Sequence, residues 1–317
     1  MTDACRARPP RLAAHREILR PWDLLTIPLV TATGAALADR GCDGTRVLLA
    51  AATGLAACVG TLYAADLLTR HDDRAAKPHR PLPSGRLSEA TVARCAVLAT
   101  VTAVALSLGA APTALVFIAA AAAAQYAYCR GLKDAGLWGD VMNGLSGWSC
   151  CVLAGACFTA GLPSAPLWAV ALALGLQGTF SNALLALHDL AADRAAGRRT
   201  LAVRLGPEGT VTVLALLAAA AYITAITTPG FLHHRPGTAF FVLLAGAVLL
   251  CTGCLAHAAP RPGAPPAPER AIEWHLYERL ALPGAFLTLA DDGPTVLGPL
   301  AAAACLLRLT PRHALRT

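Results

Sequence analysis

Two stretches of this sequence place carboxylates among basic side chains where an apolar segment ends. The carboxylates are Asp66, Asp72 and Asp73 in 63–86, and Asp189 and Asp193 in 181–206. Residues four or seven apart share one face of a helix, so Asp189 aligns with Asp193 and Asp66 aligns with Asp73. Each stretch therefore predicts two carboxylates that point in one direction at a helix end.

Aligned carboxylates repel each other unless a cation lies between them. Mg²⁺ takes oxygen ligands and often joins one or two carboxylates to phosphate oxygens. Arg80, Lys133 and Arg198 could then neutralise the remaining phosphate charge, and arginine would do so with two hydrogen bonds. Beside apolar helices, this combination fits a diphosphate head with an isoprenoid tail.

Each of these features, taken alone, also has a purely structural explanation. Acids beside arginines at helix ends are often solvated caps and ion pairs that add little to stability. Cys251 and Cys254 have the spacing of metal ligands, but they lie inside an apolar segment without a second pair. We interpret them as small packing residues.

The segments that carry these residues are strongly apolar. The chain has 317 residues, of which 56% are hydrophobic and 14% charged, and its mean hydropathy is +0.54. Soluble globular chains have about 25% charged residues. About 20 apolar residues in a helix cross the hydrocarbon core of a bilayer. The apolar residues run without alternation, which favours helices over an outer-membrane barrel.

The predicted fold is an all-α integral membrane bundle of nine transmembrane helices, or ten. The nine segments are 22–39, 46–66, 90–109, 112–128, 140–160, 166–188, 209–228, 238–258 and 293–308. The stretch 270–290 opens with charged residues, so it predicts an interfacial helix or the tenth span. We expect one domain over 1–317, with a flexible basic N-terminus over 1–18.

Arginine and lysine alternate between the loops. They crowd the N-terminus and the loops near 70–86, 130–133 and 194–204, whereas the turns near 110 and 162 have none. By the positive-inside rule, the N-terminus and the acidic loops are cytoplasmic in a multi-pass protein of the plasma membrane. Topology thus explains the net charge of +7. No aromatic-interleaved basic patch accompanies it, so we expect no nucleic-acid partner.

Four strings resemble signatures of the UbiA prenyltransferase superfamily. They are Leu19-Arg20-Pro21, then Lys77-Pro-His-Arg80-Pro-Leu-Pro-Ser-Gly85, then Tyr128-Cys-Arg-Gly-Leu-Lys133, and Asp189-x-x-x-Asp193 with Gly197 and Thr200-Leu-Ala-Val after it. The resemblance covers about 19–210 in the right order. The proline-rich string and the last motif are specific, whereas the other two are weak alone.

The resemblance implies helices around a central cavity, with the two acidic motifs facing each other across its cytoplasmic mouth. It implies Mg²⁺ as cofactor and an isoprenyl diphosphate as substrate. The catalytic residues it implies are Asp66, Asp73, Asp189, Asp193, Lys133 and Tyr128, with the four aspartates as metal ligands and Arg80, Lys133, Arg198 and Arg20 at the diphosphate. Asp66 occupies a position next to the family's own, which many members also make acidic. The spacing of four helices between the motifs predicts a pseudo-repeat of two acid-tipped halves.

The first motif departs from the family pattern. The family usually has an asparagine and then two aspartates at four-residue steps, and these positions are Ala65, Thr69 and Asp73 here. The metal would then be held by Asp66 and Asp73, with Asp72 in reserve. Alternatively, the motif binds metal poorly, and the protein has changed its substrate or lost activity.

The interpretation we prefer is a Mg²⁺-dependent membrane prenyltransferase with an aromatic or lipid acceptor. A membrane terpene cyclase of the UbiA type would use the same ionisation without an acceptor. A transporter is more distant, because acids inside a membrane also mark ion pathways, but those of this chain lie in loops and at helix ends. An inactive homologue that serves as a scaffold is the remaining alternative.

Overall fold

The computed structural model describes residues 11–39, 43–233, 235–260 and 268–290. Within these ranges the chain is helical and contains no β-strand, which confirms the all-α prediction. The helices are α1 (Arg11–Leu19), α2 (Pro21–Ala38), α3 (Gly44–Ala76), α4 (Glu89–Ala110), α5 (Ala114–Arg130), α6 (Leu137–Gly144), α7 (Cys150–Ala160), α8 (Leu167–His188), α9 (Leu190–Ala195), α10 (Leu201–Phe231), α11 (Thr238–Ala258) and α12 (Pro268–Leu287).

Eight predicted apolar segments coincide with helices, and the segment 293–308 lies outside the described residues. Among the described residues, six helical stretches are long and apolar enough to cross a membrane: Gly44–Arg74, Glu89–Ala110, Leu137–Ala160, Leu167–His188, Leu201–Phe231 and Thr238–Ala258. Their outer faces expose large apolar side chains such as Leu98, Leu216 and Leu249, as a lipid-facing surface requires. The chain is a multi-pass membrane protein, while nine or ten spans stay a prediction.

The centre of the bundle is formed by α8 and by the continuous helix of α6 and α7. A π-helical turn, Leu145–Ser149, joins α6 to α7. Such turns insert an extra residue into a helix and often occur at functional sites. This one contains Trp148, which is buried against the core formed by α7 and α8.

Two glycines allow α2 and α7 to approach each other closely. A β-carbon added at Gly34 of α2 would overlap the carbonyl oxygen of Val152, and one at Gly155 of α7 would overlap that of Thr31. Small residues let membrane helices pack backbone against backbone, where dispersion contacts and not the hydrophobic effect drive association. The α2–α7 contact forms one wall of the bundle interior.

The structure corrects the expectation of a flexible segment for residues 11–18. Helix α1 covers them, and its Ala14 and Ile18, four residues apart on one face, are buried. His15 Nδ1 lies 2.7 Å from the hydroxyl of Tyr63 on α3. The Glu17 carboxylate pairs at 2.7 Å with Arg86, which follows the proline-rich string. Basic composition suggested a solvated tail, but the apolar face of this short helix packs onto α3.

We predict opposite effects of alanine at glycines of two kinds. Gly34→Ala or Gly155→Ala should lower the free energy of unfolding by about 1–3 kcal/mol, because the new methyl group overpacks the α2–α7 contact. Gly246→Ala in α11 is the matched control, since a β-carbon there meets nothing within 4 Å. The control should be neutral or stabilising by about 0.5–1 kcal/mol. Thermal unfolding in detergent measures both, and equal shifts would contradict the packing argument.

Candidate active site

A cavity of about 500 Å³ opens where the two acidic motifs meet. Along α3 its wall extends from Asp73 to Thr53, twenty residues or about 30 Å of helix. Below the mouth the wall is mostly apolar, with Ile27, Phe117 and Ile118 among its residues. The shape suits a long apolar chain that carries a charged head at one end.

The first motif contributes two buried carboxylates to the mouth. Asp66 and Asp73 are 8% and 5% exposed, although both belong to α3. Arg80 Nη1 lies 3.0 Å from Asp73 and 3.9 Å from Asp66, so one guanidinium faces both acids. The Thr69 hydroxyl donates to Asp73 at 3.1 Å. The helix continues through this motif, so the predicted alignment of Asp66 with Asp73 holds.

Asp72 takes a different direction from the same helix. Its side chain is 51% exposed and accepts a hydrogen bond from Arg198 Nη2 at 3.0 Å. Arg198 also lies 3.5 Å from Asp134, so its guanidinium is shared between two acids at the rim. Their charges raise the pKa of Arg198 despite the opposing effect of burial. Asp72 and Arg198 are therefore bound to each other outside the cavity.

The second motif lies at the end of α8 and in α9. Asp189 ends α8, and Asp193 lies in the short helix α9 with 8% exposure. The Lys77 ammonium contacts the Asp189 carboxylate at 2.6 Å, and His188 Nδ1 lies 3.0 Å from its other oxygen. Lys77 and Asp189 are 112 residues apart in sequence, so this ion pair joins the two motifs.

Burial and charge act in opposite senses on the second motif. Burial opposes ionisation of Asp189, but the His188 hydrogen bond and the Lys77 ammonium outweigh it and hold the pKa of Asp189 well below its usual range. Burial raises the pKa of Asp193, against the influence of Lys133. Burial also lowers the pKa of Lys133, and the nearby cations Arg198 and Lys77 add to this. The acidic and basic side chains of the mouth are therefore partly removed from water.

Amide and phenol groups form a second layer just inside the mouth. Asn182 accepts hydrogen bonds from the Tyr128 hydroxyl at 3.3 Å and from Asn143 Nδ2 at 2.9 Å. Its own amide donates to Asp140 at 2.5 Å. All four residues line the cavity. Asp140 is 4% exposed, and its second carboxylate oxygen has no partner in the described part of the chain.

Eight of the nine site residues named from the sequence line the cavity, and Arg198 lies at the rim instead. Sequence reasoning missed Lys77 as a partner of Asp189 and missed the pair Asp140 and Asn143. A signal for Asp140 was available, because it is an isolated acid at the start of a long uncharged tract. The pairing of Lys77 had no local signal, because its partner is distant in sequence.

The carboxylate oxygens at the mouth suit a Mg²⁺ site that is completed by waters and substrate phosphates. Among the described residues, no three His, Cys, Asp or Glu side chains are grouped closely enough to hold one ion. The carboxylates come instead as two pairs, each with basic neighbours. Mg²⁺ is commonly held by one or two carboxylates with waters and substrate phosphates, and not by an all-protein cage. Pairs of hard oxygen donors meet this requirement.

Comparison with known proteins points in one direction. The sequence model described as the UbiA prenyltransferase family matches residues 27–269. A digeranylgeranylglyceryl phosphate synthase of Korarchaeum cryptofilum (strain OPF8) is 30% identical over 218 residues, which are 68% of this chain and 76% of that protein.

Solved structures of UbiA homologues are similar to this chain in fold. The apo UbiA homologue of Aeropyrum pernix K1 superposes with a TM-score of 0.72 at 17% identity, covering 84% of this chain and 97% of that one. A UbiA homologue of Archaeoglobus fulgidus bound to DMAPP and Mg²⁺ has a TM-score of 0.66 at 15% identity, covering 88% and 98%. At these identities the likeness concerns the fold alone.

Proposed function

This chain belongs to the UbiA prenyltransferase family, and we propose that it is a Mg²⁺-dependent enzyme that ionises an allylic isoprenyl diphosphate and transfers the prenyl group to an acceptor. The observation that carries the proposal is the pair of carboxylate motifs, joined by Lys77 and Asp189, above a long apolar cavity. The Archaeoglobus fulgidus homologue, which binds DMAPP and Mg²⁺, supports it.

The four buried or half-buried carboxylates, Asp66, Asp73, Asp189 and Asp193, would hold Mg²⁺. When bound, the metal supplies positive charge that stabilises the diphosphate as it leaves. Asp72 does not belong to this set, since its exposed carboxylate is paired with Arg198. The first motif therefore uses Asp66 with Asp73, and Thr69 supports Asp73 by its hydrogen bond.

The basic residues of the mouth have a second use. Arg80 pairs with Asp73 and lies near Asp66, and Lys77 pairs with Asp189. Once cations occupy the carboxylates, these side chains are available to bind phosphate oxygens, and Lys133 and Arg20 line the same opening. Arginine and lysine are the side chains that hold phosphate groups best. Substrate binding would thus exchange internal ion pairs for contacts with the ligand.

The cavity below the mouth protects the allylic cation. Its apolar wall excludes water, and the aromatic side chains of Phe117 and Trp148 line it. Aromatic faces attract cations, most strongly where water is absent. Tyr128 and Asn182 are hydrogen-bonded to each other at the boundary of the two regions and would orient the head of the substrate.

The name of the Korarchaeum cryptofilum relative indicates which acceptor to test first. A digeranylgeranylglyceryl phosphate carries prenyl groups on a glyceryl phosphate, so the acceptor class is the free hydroxyl of a monoprenylated glyceryl phosphate. An aromatic acceptor is the second class. A terpene cyclase would need no acceptor, because a double bond of the substrate itself captures the cation.

The test of this function uses purified protein with Mg²⁺, a panel of prenyl diphosphates and either acceptor class. We expect prenyl transfer to the lipid hydroxyl, lost on addition of EDTA. Asp189→Ala and Asp193→Ala should each reduce it by about 100-fold or more, because electrostatic stabilisation of the leaving group is lost. Cyclised hydrocarbon without acceptor would favour the cyclase, and full activity in EDTA would reject the metal-dependent mechanism.

Asp66 and Asp72 allow a matched comparison within one motif. Asp66→Asn should raise the Mg²⁺ concentration for half-maximal turnover by about tenfold or more, since loss of even an outer partner of a metal ligand has that effect. Asp72→Asn should leave this concentration within a factor of about two, because its exposed side chain only pairs with Arg198 at the rim. Equal losses would show that the assignment of the first motif is wrong.

We also propose that the N-terminus and the acidic loops face the cytoplasm of a plasma-membrane protein, as the basic residues in these loops indicate. Ala196→Cys and Ser164→Cys place exposed thiols beyond the two ends of α8. In intact cells an impermeant maleimide should label the Ser164→Cys variant above the wild-type background and leave Ala196→Cys unlabelled. The reverse pattern would invert the proposed orientation.

A further inference from the structure

A polar cluster lies in the cavity wall away from the acidic motifs. Ser181 of α8 and His275 of α12 both line the cavity, with 7% and 3% exposure. The Ser181 hydroxyl and His275 Nε2 form a hydrogen bond of 2.5 Å. The other ring nitrogen, Nδ1, lies 2.9 Å from the carboxylate of Glu278. Phe180 packs against the ring at 4.9 Å and fixes its plane.

Glu278 is held as a buried carboxylate. It is 2% exposed, and its Oε1 atom accepts hydrogen bonds from Gln177 Nε2 and from the Tyr222 hydroxyl, both at 2.6 Å. Its Oε2 atom lies 2.9 Å from His275 Nδ1, although the angle of this contact is outside hydrogen-bond geometry. Such donors stabilise the ionised form of a carboxylate in an apolar interior.

The neighbouring cation does not compete for this carboxylate. Arg279 pairs with Asp23 of α2 at 2.5 Å, and its guanidinium lies 5.0 Å above the ring of Trp148. Glu278 therefore acts on His275. A carboxylate beside Nδ1 favours the tautomer with a proton on Nδ1, which leaves Nε2 free to accept one.

Hydroxyl, imidazole and carboxylate occur here in the order used for proton abstraction. A serine nucleophile also needs free N–H donors for its oxyanion. Ser181 lies within α8, where backbone N–H groups donate to carbonyls of the preceding turn. Ser181 is therefore suited to passing on a proton and not to forming an ester.

We propose that Ser181 and His275, positioned by Glu278, are the proton acceptor for a hydroxyl-bearing acceptor substrate. The proposal rests on the proposed prenyl transfer. Ser181 is eight residues from Asp189 along α8, about 12 Å. This distance leaves room for the allylic carbon near the mouth and the acceptor oxygen between it and Ser181. Two other histidines line the cavity, but His79 and His188 belong to the mouth.

The step balances in atoms and charge. The allylic C–O bond breaks, and the diphosphate leaves with the electron pair. The acceptor oxygen forms the new C–O bond to the allylic carbon. Its proton passes to the Ser181 oxygen, while the proton of Ser181 passes to His275 Nε2. Glu278 stabilises the imidazolium that results, and the proton later leaves with the product or through the mouth.

The experiment compares two acceptors in the full-length protein. The first is a monoprenylated glyceryl phosphate with its free hydroxyl, and the second is its thiol analogue at pH 9, where a thiol of pKa about 8.5 is mostly ionised. His275→Gln should lower kcat for the hydroxyl by about 10²–10⁴-fold, the usual contribution of general base catalysis. The KM for the prenyl diphosphate and transfer to the thiolate should change little.

Ser181→Ala is the second variant, and it keeps the test decisive if His275→Gln unfolds. It should slow transfer to the hydroxyl and spare the thiolate. Ser149→Ala is its control, because Ser149 is equally buried but donates to the Ala171 carbonyl and does not line the cavity. The control should leave the ratio of the two rates unchanged. Glu278→Gln should lower kcat without raising KM, and Glu278→Asp should restore part of the loss.

The outcomes separate this proposal from the function on which it rests. Wild-type protein that transfers to no acceptor, aromatic ones included, would overturn both. Transfer to an aromatic acceptor alone would overturn the proton acceptor and leave the prenyl transfer standing. Active wild type with unchanged rates in Ser181→Ala and His275→Gln would overturn the proton acceptor alone. Equal loss of the transfer rate with the hydroxyl and with the thiolate would also overturn it. A structural defect slows both reactions, whereas loss of a proton acceptor slows only the reaction of the acceptor that carries a proton.

Discussion

The ion pair between Lys77 and Asp189 constrains the geometry of the cavity mouth. It connects two residues that are 112 positions apart in the sequence. It also neutralises the charge of a carboxylate that is half-buried beside hydrocarbon. Removing charge from water costs several kcal/mol per ion unless a partner compensates. Arg80 has the same role for Asp66 and Asp73. The basic partners therefore let the carboxylates lie close together at the mouth, which is the arrangement a divalent metal needs.

Hydropathy and helical periodicity were sufficient to predict an all-α membrane protein and the shared direction of Asp66 and Asp73, whereas the number of spans and the pseudo-repeat stay predictions. Apolar tracts located eight helical segments, one of which comprises α6 and α7, because in a bilayer both the length and the composition of a span are restricted. The seven-residue spacing aligned Asp66 with Asp73, and the structure keeps helix α3 intact through Ala76. The same helical geometry directs Asp72 away from the cavity to the rim, where it pairs with Arg198. Local rules worked wherever the residues concerned belong to one helix.

Apart from Asp140 and Asn143, the relations that sequence reasoning missed depend on packing between parts of the chain that are distant in sequence. Ser181 and His275 are 94 residues apart, and only the contact of α8 with α12 brings them together. The charged residues at the start of 270–290 predicted an interfacial helix or a tenth span, and gave no sign that Glu278 lies in the interior. The fit of Gly34 against Val152 likewise gives no signal in a sequence that contains 27 glycines.

The polar groups of the interior follow a depth order that the cost of burying charge explains. Full charges with exchangeable partners lie at the mouth, where Lys77 and Arg80 keep some access to water. In the interior, Glu278 of α12 has Gln177 and Tyr222 as hydrogen-bond donors, and Arg279 is paired with Asp23. Hydrophobic residues of similar size would often be at least as stable in such a place. Ionisable residues within a membrane bundle therefore point to function, and the attack of a neutral hydroxyl on a cation shielded from water is one chemistry that needs an internal proton acceptor.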